Sequence, residues 1–533
     1  MKKIYISALL SLFISHLFSM NPIARPQQRR ISLANPLIRP GHLIQRTNEP
    51  LALKEIAAES FIQRSVMPIL KMEMSNFSSV QEKINALLKN APKDVLNQIE
   101  KLFYSSFKSE IAHLFLKKPF IEFQPHNDDY FIAQIAFDPS NRYCATMSKH
   151  TMYESKKSIL NFYSFPDFDP LPLPKISHQC SAIKYSPQGR FLELYEQGSF
   201  GETTLLDTLH DFYPYTFNQE TLATAFNNEE NIMFAIGKDK DFARNQKCTL
   251  TMWDLETHQI IPTDFILPDN ISRISPQGNC IIATTRNPQD PRRDLYEIIL
   301  LSVQEKKPTM TRIDASGFRM NDGACSFALH LPNTLLAISS YNDIYVWNFS
   351  TNSFVAHFEH DDIVNNITFN PSGTMLASAS NDWTARLWNI VTPKEINLHT
   401  TESRHIVTDV AFHPQQNVLF SADSALRMWD LTKEMATQLG ATEDISAGSE
   451  AKIIMNTDGT FFTIEEESHV WHMPTSEQLT FEQLIWLYGA CWAQKNLKAV
   501  ALENYIFGLE NQIDKVFADK SDRVKNHLRK LIE

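Results

Sequence analysis

Apolar and polar residues alternate through residues 363–390, IVNNITFNPSGTMLASASNDWTARLWNI, in three short runs parted by polar turns. A period of two, carried by β-branched and aromatic residues, predicts strands buried on one face. Asn370-Pro371-Ser372-Gly373 supplies the first turn, Asn381-Asp382-Trp383 the second, and the third run ends on Trp388. Gly and Asn tolerate left-handed backbone and Pro presets φ, so the turns are written in residue types. Residues 406–431, IVTDVAFHPQQNVLFSADSALRMWDL, repeat the same order.

The first turn of this unit recurs at Pro139, Pro187, Asn227, Pro276, Pro332, Pro371, Pro414 and Asp458, on average about 46 residues apart. That period is near the 40–45 residues of a four-stranded propeller blade. The third run ends in Trp253-Asp254, Trp347-Asn348, Trp388-Asn389, Trp429-Asp430 and Trp471-His472; Phe162-Tyr163, Leu206-Asp207 and Leu301-Ser302 stand in the units without Trp. One such unit cannot bury both faces of its sheet, whereas a closed ring of them buries every face but the short edges.

Over residues 119–475 the repeat resembles the WD40 family, most closely in units 6 and 7. The resemblance implies an all-β propeller with α-helical flanking segments at both ends. Eight blades are expected, with seven, by omission of unit 4, as the alternative. It also implies hydrogen-bonded tetrads at His360, Ser378, Asp382 and Trp388, and at His405, Ser421, Asp423 and Trp429; elsewhere the turns are expected to rest on packing alone. The family's Gly before His is replaced by Glu359 and Arg404. Closure of a ring requires a strand from one end to complete a blade at the other, and Phe120-Ile121-Glu122-Phe123 is placed to be the fourth strand of the last unit.

Helical spacing marks the flanks. In 51–118 it appears at Leu53, Ile56 and Phe61, at Val80, Ile84 and Leu87, and after Pro92 and Asp94, which suit a helix start. Residues 91–103 resemble the opening of an F-box, a helical module that docks ubiquitin-ligase scaffolds. In 476–533 a helix is expected from Ser476 through Leu484, Leu487 and Tyr488, and a second is capped by Ser521 with Val524, Leu528 and Leu531 on one side. Residues 20–50, with five prolines and five arginines, read as a linker. Residues 1–19 open with Lys2 and Lys3 and an apolar run over 4–18, the pattern of a signal peptide. Secretion or periplasmic export is therefore expected; the arginines that follow, which resist translocation, leave an uncleaved membrane anchor as the alternative.

The chain of 533 residues carries a net charge of −11. Residues 1–118 hold +9 and 476–533 are neutral, which leaves −20 on 119–475. So acidic a body repels phosphate backbones and excludes nucleic acid as the natural partner. The six cysteines are scattered and form no CxxC pair, so they read as buried small apolar residues. No GxSxG, Walker loop, GxGxxG or HExxH occurs. No catalytic residue, metal or cofactor is expected, and the chain is read as a monomer. The densest polar cluster, 357–362, has metal-ligand types, but His360 is claimed by the tetrad and Asp361 and Asp362 suit a loop.

What remains is surface. In the family, the loops entering the first strand and joining the second to the third form one face, which binds peptides or domains. Trp383 lies in such a loop, where polar residues or Gly are usual, and buried aromatics dominate binding energies at interfaces. Asp361, Asp362 and Asn381 are its expected neighbours and suit a basic ligand, and Tyr341 and Asn342 hold the equivalent loop of unit 5. A non-enzymatic protein-interaction scaffold is the leading expectation. An F-box-like adaptor acting in a host cell and an exported propeller hydrolase or lyase are the alternatives.

Overall fold

The computed structural model describes residues 62–66, 77–88 and most of 93–532, apart from several loop segments within that range. The signal-like segment and the Pro/Arg-rich linker lie outside the described residues. The chain forms two compact units. One comprises the helical residues up to Lys108 together with Thr475–Asp519; the other comprises Ser109–Pro474 and Lys520–Leu531.

The second unit is an eight-bladed β-propeller. Blades 1 to 8 occupy residues 130–178, 182–220, 221–261, 271–313, 327–359, 364–396, 409–441 and 453–472. Each blade is an antiparallel sheet of four strands, with one strand shared between blades 2 and 3 and the fourth strand of blade 8 supplied from the N-terminal side. The inward faces of neighbouring blades interlock: Ala328, Val346 and Phe358 of blade 5 pack with Val364, Ile367 and Trp388 of blade 6. Unit 4, the one marked for omission, is a complete blade whose strands are paired throughout. Its Ile281, Ile299 and Leu301 are fully buried against blade 3. It lacks the Trp, but apolar residues keep the alternation, and burial is what a blade requires.

The ring closes through the N-terminal strand. Ile121–Glu122 pairs antiparallel with His469–His472 as the outer strand of blade 8. The flanking amides extend the pairing: Phe120 N donates to Val470 O at 2.7 Å and Phe123 N to Ser468 O at 2.9 Å.

Blades 2 and 3 depart from the repeat. One continuous strand, Tyr213–Phe226, pairs with Glu202–Asp207 through its first half and with Ile232–Lys238 through its second. It is the outer strand of blade 2 and the inner strand of blade 3, and the two blades form one seven-stranded sheet. The stretch YPYTFNQETLATAF contains no Gly to break it, and its only Pro is next to its start.

The turns between first and second strands are hydrogen-bonded across blades, which corrects the expectation of packing alone. Glu230 of blade 3 is buried and accepts from Ser186 Oγ and from the amides of Gln188 and Arg190 in blade 2. Arg142 of blade 1 donates to Gly189 O, His330 Nε2 lies 3.0 Å from Pro371 O, and Thr457 donates to Pro139 O across the closure. Sequence position alone does not show which residues meet across blades.

Gly459 lies in one of these turns at φ +74, where a Cβ would stand 2.6 Å from His413 Nε2 and 2.8 Å from Pro414 Cδ. Left-handed strain and contact with a rigid ring act together. Gly459→Ala is expected to lower stability by about 2 kcal/mol or more. A thermal melt checks this; an unchanged Tm refutes it.

The helical unit holds α1 (Phe77–Leu88), the first part of α2 (Lys93–Lys117), α3 (Phe481–Asn496), α4 (Val500–Glu510) and α5 (Ile513–Val516). α2 leaves helical geometry at Phe107. α3 begins after Thr480, not at Ser476, because Thr480 and Gln483 form a reciprocal capping box. Trp486 is fully buried, meets Phe517 edge-on at 5.2 Å and donates to Leu509 O. The last helix, α6 (Asp522–Ile532), follows Ser521 as expected and belongs, up to Leu531, with the propeller. Among the described residues no helix is long and apolar enough to cross a membrane.

Candidate interaction face of the propeller

The site is built by three neighbouring loops on blades 5 and 6. The strands of blade 6, Val364–Phe369, Met375–Ser380 and Ala385–Asn389, are fixed by one buried polar chain. Trp388 Nε1 donates to Ser378 Oγ at 2.8 Å, His360 Nε2 lies 2.6 Å from that hydroxyl, and His360 Nδ1 lies 2.8 Å from Asp382 Oδ2. His360 and Ser378 are buried, so each polar atom needs such a partner. Burial alone raises the pKa of the Asp382 carboxyl, but hydrogen bonds from His360 and Thr384 outweigh it and hold the group below the usual carboxylate range. The first expected tetrad is thus brought together in full.

The second shares the Trp–Ser bond. Trp429 Nε1 donates to Ser421 Oγ at 2.9 Å, while Asp423 binds Arg427 at 2.9 Å and accepts from the Ala425 amide. His405 is exposed, unlike buried His360. Arg427 stands four residues after Asp423, as Arg386 stands four after Asp382 in blade 6.

The tetrad of blade 6 anchors the three loops. Val364 N donates to Tyr341 O at 2.7 Å, His360 N to Asn342 O at 2.9 Å, Asn381 N to Ile363 O at 2.8 Å, and Asp361 N to Asp382 Oδ2 at 3.2 Å. Tyr341, Asp361, Asp362 and Asn381 therefore belong to one hydrogen-bonded patch, and Trp383 follows Asp382 in the same loop. Trp383 is 55% exposed and Tyr341 45%. Both hold left-handed backbone, at φ +68 and +58. A bulky residue there costs about 1 kcal/mol that Gly would not incur.

The polar members divide by role. Asn342 Nδ2 donates to Glu359 and to His360 O, and Asn381 Oδ1 accepts from Asn365, so both asparagines brace the loops. Asp361 is paired with Arg386 at 2.7 Å although its side chain is 85% exposed. Asp362 accepts from the Ile363 amide at 2.7 Å and is exposed. Arg386 was not foreseen. It reaches Asp361, Asp382 and Glu359 O, and its signal was its place four residues after Asp382. The metal-like cluster 357–362 is split: His357 pairs with Asp343 at 2.6 Å while His360 faces Ser378 and Asp382.

A second polar set was also missed. Asn366 and Asp409 occupy the same position in the inner strands of blades 6 and 7, and Gln134 occupies it in blade 1. Ser326 Oγ donates to Asn366 Oδ1 at 3.0 Å, Asn366 donates to Asp409, and Asp409 accepts from Ile453 N at 2.6 Å, linking blades 5 to 8. Gln134 joins Glu465 of blade 8 to Ile183 of blade 2. Burial pushes the Asp409 carboxyl up to about 6 despite these donors. The signal was a polar residue recurring in an otherwise apolar strand.

Residues 350–389 and 394–430 match the WD domain, G-beta repeat family. A periodic tryptophan protein 2 homolog of Schizosaccharomyces pombe is 32% identical over 113 residues, which are 20% of this chain and 13% of that protein. The target of rapamycin complex subunit wat1 of the same organism is 27% identical over 147 residues, 26% of this chain and 45% of that one. The matches thus span less than half the length of either relative. The structure of Chaetomium thermophilum Sqt1 bound to the N-terminus of ribosomal protein L10 aligns with a TM-score of 0.49 and 15% identity, over 67% of this chain and 100% of that chain. The chain is thus an eight-bladed β-propeller whose residues 350–430 carry WD40 repeats.

Proposed function

We propose that this protein is a non-enzymatic interaction scaffold and that it captures a protein partner on the patch of Tyr341, Asp362 and Trp383. The observation that carries the reading is Trp383: an indole 55% exposed and held at φ +68 on a loop pinned by a buried tetrad. An aromatic kept exposed at a conformational cost, on a rigid support, is the form of a binding anchor. The propeller's acidic excess and exposed Asp362 favour a basic segment of the partner. Kinship with a protein described as a complex subunit supports the same reading. The apolar run over 4–18 supports delivery by export, which N-terminal sequencing of the protein from its native source tests.

Trp383→Gly separates binding from folding. It removes the indole and relieves the left-handed strain, so stability is expected to rise by about 0.5–1 kcal/mol. Partner capture, measured by affinity purification from the native cell and quantitative mass spectrometry against wild type, is expected to fall at least tenfold. Capture equal to wild type removes this face from the proposal.

A further inference from the structure

We propose that the seam between the closing strand and α6 is an acid-labile latch, in which protonation of His472 and His527 releases the C-terminal helix from the ring. His472 ends the third strand of blade 8, beside the closing strand, and His527 lies on α6. Both are buried, at 9% and 2% exposure. They flank one phenylalanine: the Phe120 ring lies 5.3 Å from His472 and 5.0 Å from His527. Phe115 stands 5.9 Å and 6.0 Å from the same two rings, and Phe461 stacks on His472 at 4.5 Å. Among the described residues neither nitrogen of His527, nor Nδ1 of His472, has a hydrogen-bond partner. A neutral imidazole packs there as a flat, mostly apolar ring. An imidazolium adds a charge and a second N–H that the aromatic wall cannot solvate.

The surrounding charges point the same way. Asp458 favours a charged His472, but Lys520 opposes it, and Lys118 and Lys530 oppose a charged His527, as does His472 itself. Burial, the largest effect, holds both imidazoles down to about 3. Once α6 lifts, His527 regains the ordinary value of about 6.5, and His472 moves toward it as one side of its cover is removed. The released state therefore binds more protons between those values, and the latch weakens as pH falls through 6. Over about 1.5 pH units His527 alone favours release by about thirtyfold, and His472 adds to it.

Other shifted groups do not mimic this. The raised Asp409 carboxyl favours the folded state as pH falls toward 4, the opposite sign. The lowered Asp382 carboxyl weakens the fold only below its ordinary range, near 4. His469, on the same strand as His472, is raised by Glu467, so its contribution is retained in acid. The ion pair Arg523–Asp169 at 3.1 Å and the bond from Lys118 Nζ to Lys530 O at 2.6 Å also tie α6 to its neighbours. They set a load that the histidine pair must overcome.

Hydrogen exchange of the full chain at about pH 7.5 and about pH 5, corrected for intrinsic rates, tests the latch. Peptides from α6 and from 118–123 are expected to lose protection at least tenfold in acid, while those over 375–389 in blade 6 keep theirs. In His472→Phe/His527→Phe, or in His527→Leu alone where the double variant fails to accumulate, acid is expected to leave the seam protected. Equal seam protection of wild type at both pH values, uniform loss across all blades, or acid loss undiminished in the variants each overturns the proposal.

Discussion

Trp388→Ala is expected to lower the unfolding free energy by about 4 kcal/mol, the largest single-residue effect on the propeller. The indole is 4% exposed, stacks on Phe358 at 4.7 Å and donates to Ser378. Truncation opens a cavity between blades 5 and 6, and it removes the Trp388 donor from the buried Ser378 hydroxyl, leaving that hydroxyl to His360 and a long bond to Arg386 O. Trp388→Phe separates the two contributions, because it keeps an aromatic face and loses only the donor; its cost should be about 1–2 kcal/mol. Urea titration followed by far-UV circular dichroism measures both. A loss below about 1 kcal/mol for the alanine variant shows that the tetrad does not hold blade 6.

The second large effect is expected at the closure. Phe120 is 5% exposed and touches Phe168, Phe461, His472 and His527. Phe120→Ala should cost about 3–4 kcal/mol, as for other buried Phe truncations. Its consequence is nonlocal, because the strand it anchors joins the two ends of the ring. In a repeat array each unit is stabilised by its neighbours, so opening one joint exposes blades 1 and 8 together. Limited proteolysis should shift to first cuts in 118–178 and 453–472, with 364–441 resisting longer. First cuts distributed evenly over all blades refute a closing role for Phe120.

The units were legible because the repeat writes its strands locally. Alternation, Pro or Asn at the first turn and Trp at the third-strand end all reappear in the structure near their expected places, and even the closing strand was marked by Phe120 and Phe123. Exposure of Tyr341 and Trp383 was legible too, since a large aromatic in a turn between strands has no sheet to pack against. The role of the polar residues was not. Asp361 read as available for a ligand, yet Arg386 takes it at 2.7 Å. His405 read as the twin of His360, yet it is exposed. Whether a polar group faces solvent or a partner depends on a neighbour set by the fold, often a blade away.

Sequence by itself determined the period, the strand positions and the residue that ends most third strands, because those follow from side-chain alternation and turn chemistry within about 30 residues. Tertiary structure decided the rest. It fixed eight blades by giving unit 4 two neighbours to bury against, and it ran blades 2 and 3 together through one strand, Tyr213–Phe226. It also brought His527 of the last helix beside His472 and Phe120, residues between 55 and 407 positions away. Ring closure and buried polar partners are properties of contacts between distant segments, and the free energy of such contacts is not written in any local window of the chain.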